Sequence, residues 1–107
     1  MEKKTVITDK EVADEIDRVF SNETPEVRWQ AQTIARCESR WHFLSKNGNS
    51  TASGVFRFID STWIRYRKMM GRSTDLLLRY NPRENIETAY FLFKLDGWNQ
   101  WDCKKEL

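Results

Sequence analysis

Apolar positions recur at helical spacing through nearly the whole chain. Val12, Ile16, Val19 and Phe20 fall at i, i+4, i+7 and i+8, which is one face of a helix. Thr8-Asp9-Lys10-Glu11 precedes them as a capping box, in which side-chain oxygens satisfy free N–H groups, and Ser21-Asn22-Glu23 breaks the pattern. A second helix opens at Thr24-Pro25, a cap followed by proline at the first helical position. Its stripe of Val27, Ala31, Ile34, Glu38 and Trp41 lies at offsets 0, 4, 7, 11 and 14, so a carboxylate sits inside an apolar row. Residues 45–54 read as a loop by their Gly and Asn content, and residues 55–59 as a short strand or extended turn. Asp60 or Ser61 caps a third helix through Met70, stopped by Gly71. Residues 74–80 form a short helix. Asn81-Pro82 then starts the last long helix, with Ile86, Ala89, Tyr90 and Phe93 as its buried stripe and Gly97 as its end. The pattern predicts a compact, mainly α domain of five to six helices, with at most a minimal β element near residues 54–59.

A chain of 107 residues without repeat, linker or low-complexity tract fits one core. Aromatics make up 13% and include five Trp, more than a small core needs. Most of these rings are expected in the core and some along a cleft. The net charge of +2 is uneven: residues 1–26 hold eight acids and four bases, leaving +6 on the remainder. Bases are densest over residues 57–79, a pattern that suits an anionic polymer or a solvated helix face. Two cysteines allow one disulfide or two free thiols. His42 is the only histidine and reads as a surface or loop residue, so neither a metal site nor a cofactor is expected. No run is long and apolar enough to insert in a membrane, and MEKKTVITDKEVADE lacks the apolar run of a signal peptide. Asn49-Ser50-Thr51 matches a glycosylation sequon, a pattern common by chance.

Glu38 carries the most chemical information. Burial on an apolar face disfavours its charged form, and the negative end of a helix dipole pushes the same way. A glutamate so raised donates a proton near neutral pH, as cleavage of a glycosidic bond requires. The bland alternative is an ion pair with Arg36 or Arg40, but residues that close in sequence point to other faces of a helix.

Cys37-Glu38-Ser39, then Gly54-Val55-Phe56-Arg57-Phe58, then Ser61-Thr62-Trp63, resembles the core of the soluble lytic transglycosylase and goose-type lysozyme superfamily. Asn81-Pro82 with Asn85-Ile86 and Ala89 is similar to that family's helix start. The tail Gly97-Trp98-Asn99-Gln100-Trp101-Asp102-Cys103 resembles that of compact resuscitation-promoting-factor-like muralytic domains, which also place Cys before the catalytic Glu. The resemblance covers residues 29–103. It implies a lysozyme-like catalytic domain over residues 24–107, with the helix in residues 1–23 outside it. It implies cleavage of the glycan strand of peptidoglycan with Glu38 as acid and then base. Ser39, Gly54, Phe56, Arg57, Asn85, Tyr90 and Trp98 become substrate-binding candidates, with Gly54 letting the backbone approach the glycan and Phe56 and Phe58 lining the cleft or the core beneath it. A Cys37–Cys103 disulfide follows, and with it an oxidising location: extracellular, periplasmic, cell envelope or phage virion. A monomer acting without nucleic acid is expected.

Two departures stand out. Arg57 occupies the position of the family's glutamine, where it pairs either with a substrate carboxylate or with Glu38, the second impairing catalysis. The Ala-Tyr-Asn motif of larger transglycosylases is missing, its region taken by Trp98 and Trp101. A second catalytic acid is not evident, Asp60 reading as a helix cap; one carboxylate suits the transglycosylase route. The rivals are a catalytically impaired glycan-binding domain and, on the Arg-rich third helix, a nucleic-acid-binding protein, which predicts salt-sensitive DNA binding.

Overall fold

The computed structural model describes residues 7–46 and 50–107. Its order is α1 (Asp9–Val19), α2 (Pro25–Ser39), α3 (Asp60–Met70), a 3-10 segment Leu76–Tyr80, α4 (Pro82–Asp96) and a 3-10 segment Asp102–Glu106. The expected five to six helices are thus four α-helices, because residues 74–80 and the C-terminal tail wind too briefly to close α turns. Among the described residues there is no strand. The 54–59 element is a turn held by two isolated bridges, Lys46 with Ser53 and Ser53 with Phe58. Asn49 of the sequon lies outside the described residues.

The caps fall where the polar residues predict. Thr8 and Glu11 close the capping box on α1. Thr24 accepts from the Val27 N–H, and Asn81 from the Glu84 N–H. Gly71 and Gly97 end α3 and α4 with positive φ. Asp60 departs from expectation: Ile59 occupies the cap position of α3 without a side-chain bond, and Asp60 instead pairs with Arg79 at 2.7 Å. The second helix stops at Ser39, so Trp41 is not on its stripe. Arg40 and Trp41 both turn left-handed, and the Trp41 indole N–H donates to Gln32 at 2.9 Å.

Val12 and Ile16 of α1 and Phe20 just after it are fully buried with Ala31, Ile34 and Ala35 of α2 and Ile86, Ala89 and Leu92 of α4. The face of α4 differs from its apolar stripe. Asn85 and Thr88 are fully buried on it, while Tyr90 and Phe93 sit half-buried at its edge. Six of the fourteen aromatic rings form one chain, from Tyr90 through Phe20, Trp98 and Trp101 to Phe58 and Trp63, at centroid spacings of 4.8–6.0 Å.

The base-rich segment is not simply a solvated face. Arg67 is 1% exposed, lies over the Trp63 ring, and donates to Ser73, Thr88 and Glu84. Arg79 is also buried, and binds the Thr51 and Phe58 carbonyls beside Asp60. These two cations knit α3, α4 and the central turn together, which removes them from any nucleic-acid surface. His42 is exposed and touches Phe43.

Candidate active site

Glu38 lies in the last turn of α2, where the helix meets the central turn. Ser39 makes that junction. Its hydroxyl donates to the Val55 carbonyl at 2.7 Å, with the Ala35 carbonyl at 3.2 Å. Ser53 and Phe58 exchange backbone hydrogen bonds of 3.1 and 3.0 Å, closing residues 54–57 into a tight turn. Val55 and Phe56 point into the core, and Arg57, at φ 52°, points outward. A left-handed conformation is costly for a side chain of this size. Among the described residues, the three non-glycine residues that adopt one, Arg40, Trp41 and Arg57, all lie at the end of α2 or in the turn it abuts.

A cleft of about 230 Å³ opens there. It draws Glu38 from α2, Arg57 to Ile59 from the turn, Thr62 from α3, Leu92 from α4, and Gln100 to Asp102 from the C-terminal segment. Trp101 supplies a buried wall and donates its indole N–H to the Phe56 carbonyl at 3.0 Å. The Cys37–Cys103 disulfide joins residues 66 apart in sequence. It fastens the residue before Glu38 to the residue after Asp102, which sets the Cys103 backbone N–H near enough to the Glu38 carboxylate to favour its charged form.

Glu38 is half-buried, and its pKa is raised above the usual glutamate value. Burial is the main cause. The Cys103 N–H and the Arg57 charge oppose it, and the Asp102 charge assists it. Burial therefore outweighs the two groups that favour the carboxylate. Arg57 donates to the backbone carbonyl of Glu38 at 3.4 Å, and among the described residues it forms no ion pair with the carboxylate.

Of the sequence-predicted residues, the structure brings Glu38, Arg57 and Phe58 into the cleft, with Ser39 holding the helix end behind them. The others lie elsewhere. Gly54 is buried at φ 88°; a Cβ there would stand 2.1 Å from the Arg79 carbonyl oxygen and 2.2 Å from the Asn85 amide nitrogen. Its close approach is to this chain's own backbone. Asn85 is fully buried and receives the Phe56 N–H while donating to the Arg79 carbonyl, both at 2.9 Å. Phe56 is in the core, and Trp98 is 6% exposed with its indole N–H on Gln30. Tyr90 reaches Glu23 at 2.8 Å. Among the described residues no cluster of His, Cys, Asp and Glu is arranged to hold a metal ion.

Sequence reasoning missed Thr62, Gln100 and Asp102. The signal for Asp102 was present: it precedes Cys103, whose partner precedes Glu38. The pairing makes two distant carboxylates neighbours of one bond.

The sequence matches the family described as Transglycosylase SLT domain over residues 23–100. No curated protein matches the chain, and no solved structure does.

Proposed function

This chain belongs to the transglycosylase SLT family, and on that premise we propose that it cleaves the β-1,4 bond between N-acetylmuramic acid and N-acetylglucosamine in peptidoglycan, using Glu38. One observation carries this reading: a carboxyl kept toward its protonated form by burial, opening into a cleft at the end of α2. The Glu38 proton passes to the bridging oxygen as the glycosidic bond breaks. The substrate's own N-acetyl carbonyl stabilises the cationic sugar. The Glu38 carboxylate then takes the proton of the 6-hydroxyl as that oxygen attacks, which yields a 1,6-anhydro sugar. Asp102 in the cleft favours a second reading, in which water attacks in place of the 6-hydroxyl and the product is a reducing sugar.

Within this reading residues 24–107 are the catalytic unit, and α1 is an addition that completes the core. Cys37 before Glu38, and its bond to Cys103, support the compact resuscitation-promoting-factor-like type and an oxidising location outside the cytoplasm. The protein acts as a monomer on the glycan strand. The impaired alternative needs Arg57 to neutralise Glu38; the hydrogen bond from Arg57 to the backbone carbonyl instead favours a working acid. Among the described residues no helix is long and apolar enough to cross a membrane.

Mass spectrometry of digested, purified peptidoglycan tests both readings. An anhydro product is lighter by one water than a hydrolytic one. Glu38→Gln is expected to lose on the order of 10²–10⁴ in rate. Equal rates for wild type and Glu38→Gln overturn the assignment.

A further inference from the structure

Of the ten arginines, Arg18, Arg67, Arg72, Arg79 and Arg83 each close on an aspartate or glutamate. Among the described residues Arg28, Arg36, Arg40, Arg57 and Arg65 form no such pair, and of these Arg57 is half-buried beside the candidate acid. Among the described residues it is the one cation lining the cleft, and its hydrogen-bond partner is a neutral carbonyl. A role as a cap on the last turn of α2 would account for that bond. The bond is long, however, at 3.4 Å, and engages one of the five N–H groups a guanidinium offers. The turn also holds Arg57 in a left-handed conformation that a residue of this size adopts at a cost, and the Ser53–Phe58 pair and Gly54 fix it there. The result is a pre-positioned fork, directed into the cleft, with donors left for a ligand.

We propose that Arg57 is a specificity residue that binds a carboxylate on the glycan strand and so sets which sugar lies beside Glu38. This rests on the peptidoglycan reading above. In that polymer only alternate sugars, the muramic acids, carry the lactyl group that ends in a carboxylate or bears the peptide stem. A cation fixed next to the acid therefore selects one of two registers. Asp102, in the same cleft, repels the same carboxylate and disfavours the wrong placement. An arginine fork takes a carboxylate through two parallel hydrogen bonds, which fixes orientation as well as position.

The carboxylate has two possible sources, a lactyl group freed of its stem or the stem peptide itself. Binding to folded, inactive Glu38→Gln separates them without requiring turnover. Four probes are used: stem-free strands, the same strands with lactyl carboxylates converted to methylamides, stem-bearing strands, and neutral N-acetylglucosamine oligomers. Titration calorimetry gives Kd for each, with Arg57 intact or replaced by Gln. A second replacement, Arg57→Asn, better suits the left-handed backbone, and a near-ultraviolet circular dichroism spectrum checks the fold of both.

The expected result is a loss of roughly ten- to hundred-fold in the preference for carboxylate-bearing over neutral strands. Arg57→Lys, which keeps charge without the fork, recovers part of it. Loss confined to stem-free strands assigns the lactyl carboxylate, and loss confined to stem-bearing strands assigns the stem. Equal weakening for neutral and carboxylated strands, with cleavage by the wild type intact, overturns the proposal and leaves the enzymatic reading standing. Neither binding nor cleavage of any strand overturns both.

Discussion

Replacing Asn85 by Ala separates a core role from a substrate-binding one. The Asn85 side chain is fully buried and satisfies two main-chain groups, the Phe56 N–H and the Arg79 carbonyl, each at 2.9 Å. Truncation leaves both without that partner. An unsatisfied buried group costs about 1–3 kcal/mol, so the two together cost about 2–6 kcal/mol. The vacated amide space adjoins polar groups able to hold a water, which places the expected loss in the lower half, about 2–3 kcal/mol. A chain of 107 residues loses about 4–5 °C in Tm per kcal/mol, so Tm should fall by roughly 10–15 °C. Thermal unfolding followed by far-ultraviolet circular dichroism reads this directly. Asn85→Asp is the control. It keeps an acceptor for Phe56 but turns an oxygen toward the Arg79 carbonyl, and should be at least as damaging. At a temperature where the variant is folded, KM on peptidoglycan should match wild type. A Tm loss under about 3 °C, or a raised KM at full stability, refutes this reasoning and returns Asn85 to the substrate.

Two further outcomes follow from the candidate site. Glu38 has a folded pKa above its unfolded one, so the protonated form favours folding: that contribution is fully present below the unfolded pKa and is lost as pH rises through the folded one. Glu38→Gln should therefore melt higher than wild type at neutral pH, with the gap closing in acid; a gap that widens on acidification contradicts the direction of the shift. Replacing Cys37 and Cys103 by Ala releases a closed loop worth roughly 4 kcal/mol in chain entropy, read as a lower denaturant midpoint that no longer responds to reductant. A loss below about 1 kcal/mol would mean that packing alone holds the C-terminal segment.

Three of the four α-helices were legible because their starts carry a local polar signature, which α3 lacks. Thr8, Thr24 and Asn81 cap where their sequence neighbours say they should. Glu38 was legible because its row on α2 is otherwise apolar. The rest depended on partners distant in sequence. Asn85 looked like a polar residue available to a substrate, since nothing near it in sequence shows that Phe56 and Arg79 will consume it. Arg67 and Arg79 looked solvated for the same reason, their carboxylates lying 17 and 19 residues away. Gly54 illustrates a subtler limit: the need for a bare backbone is visible, but not that a Cβ there would meet this chain's own Arg79 and Asn85. Trp41 was misplaced because a left-handed residue at Arg40 ends the helix before the periodicity does.

The disulfide has a consequence for how this fold tolerates change. The carboxyl of Glu38 and the Cys103 N–H that favours its charged form come from α2 and the C-terminal segment, yet each lies within a residue of one covalent bond. Their meeting is a property of a short cross-linked seam and does not depend on every contact in the core between them. Substitutions that loosen the interior should then lower the melting point well before they misalign the acid.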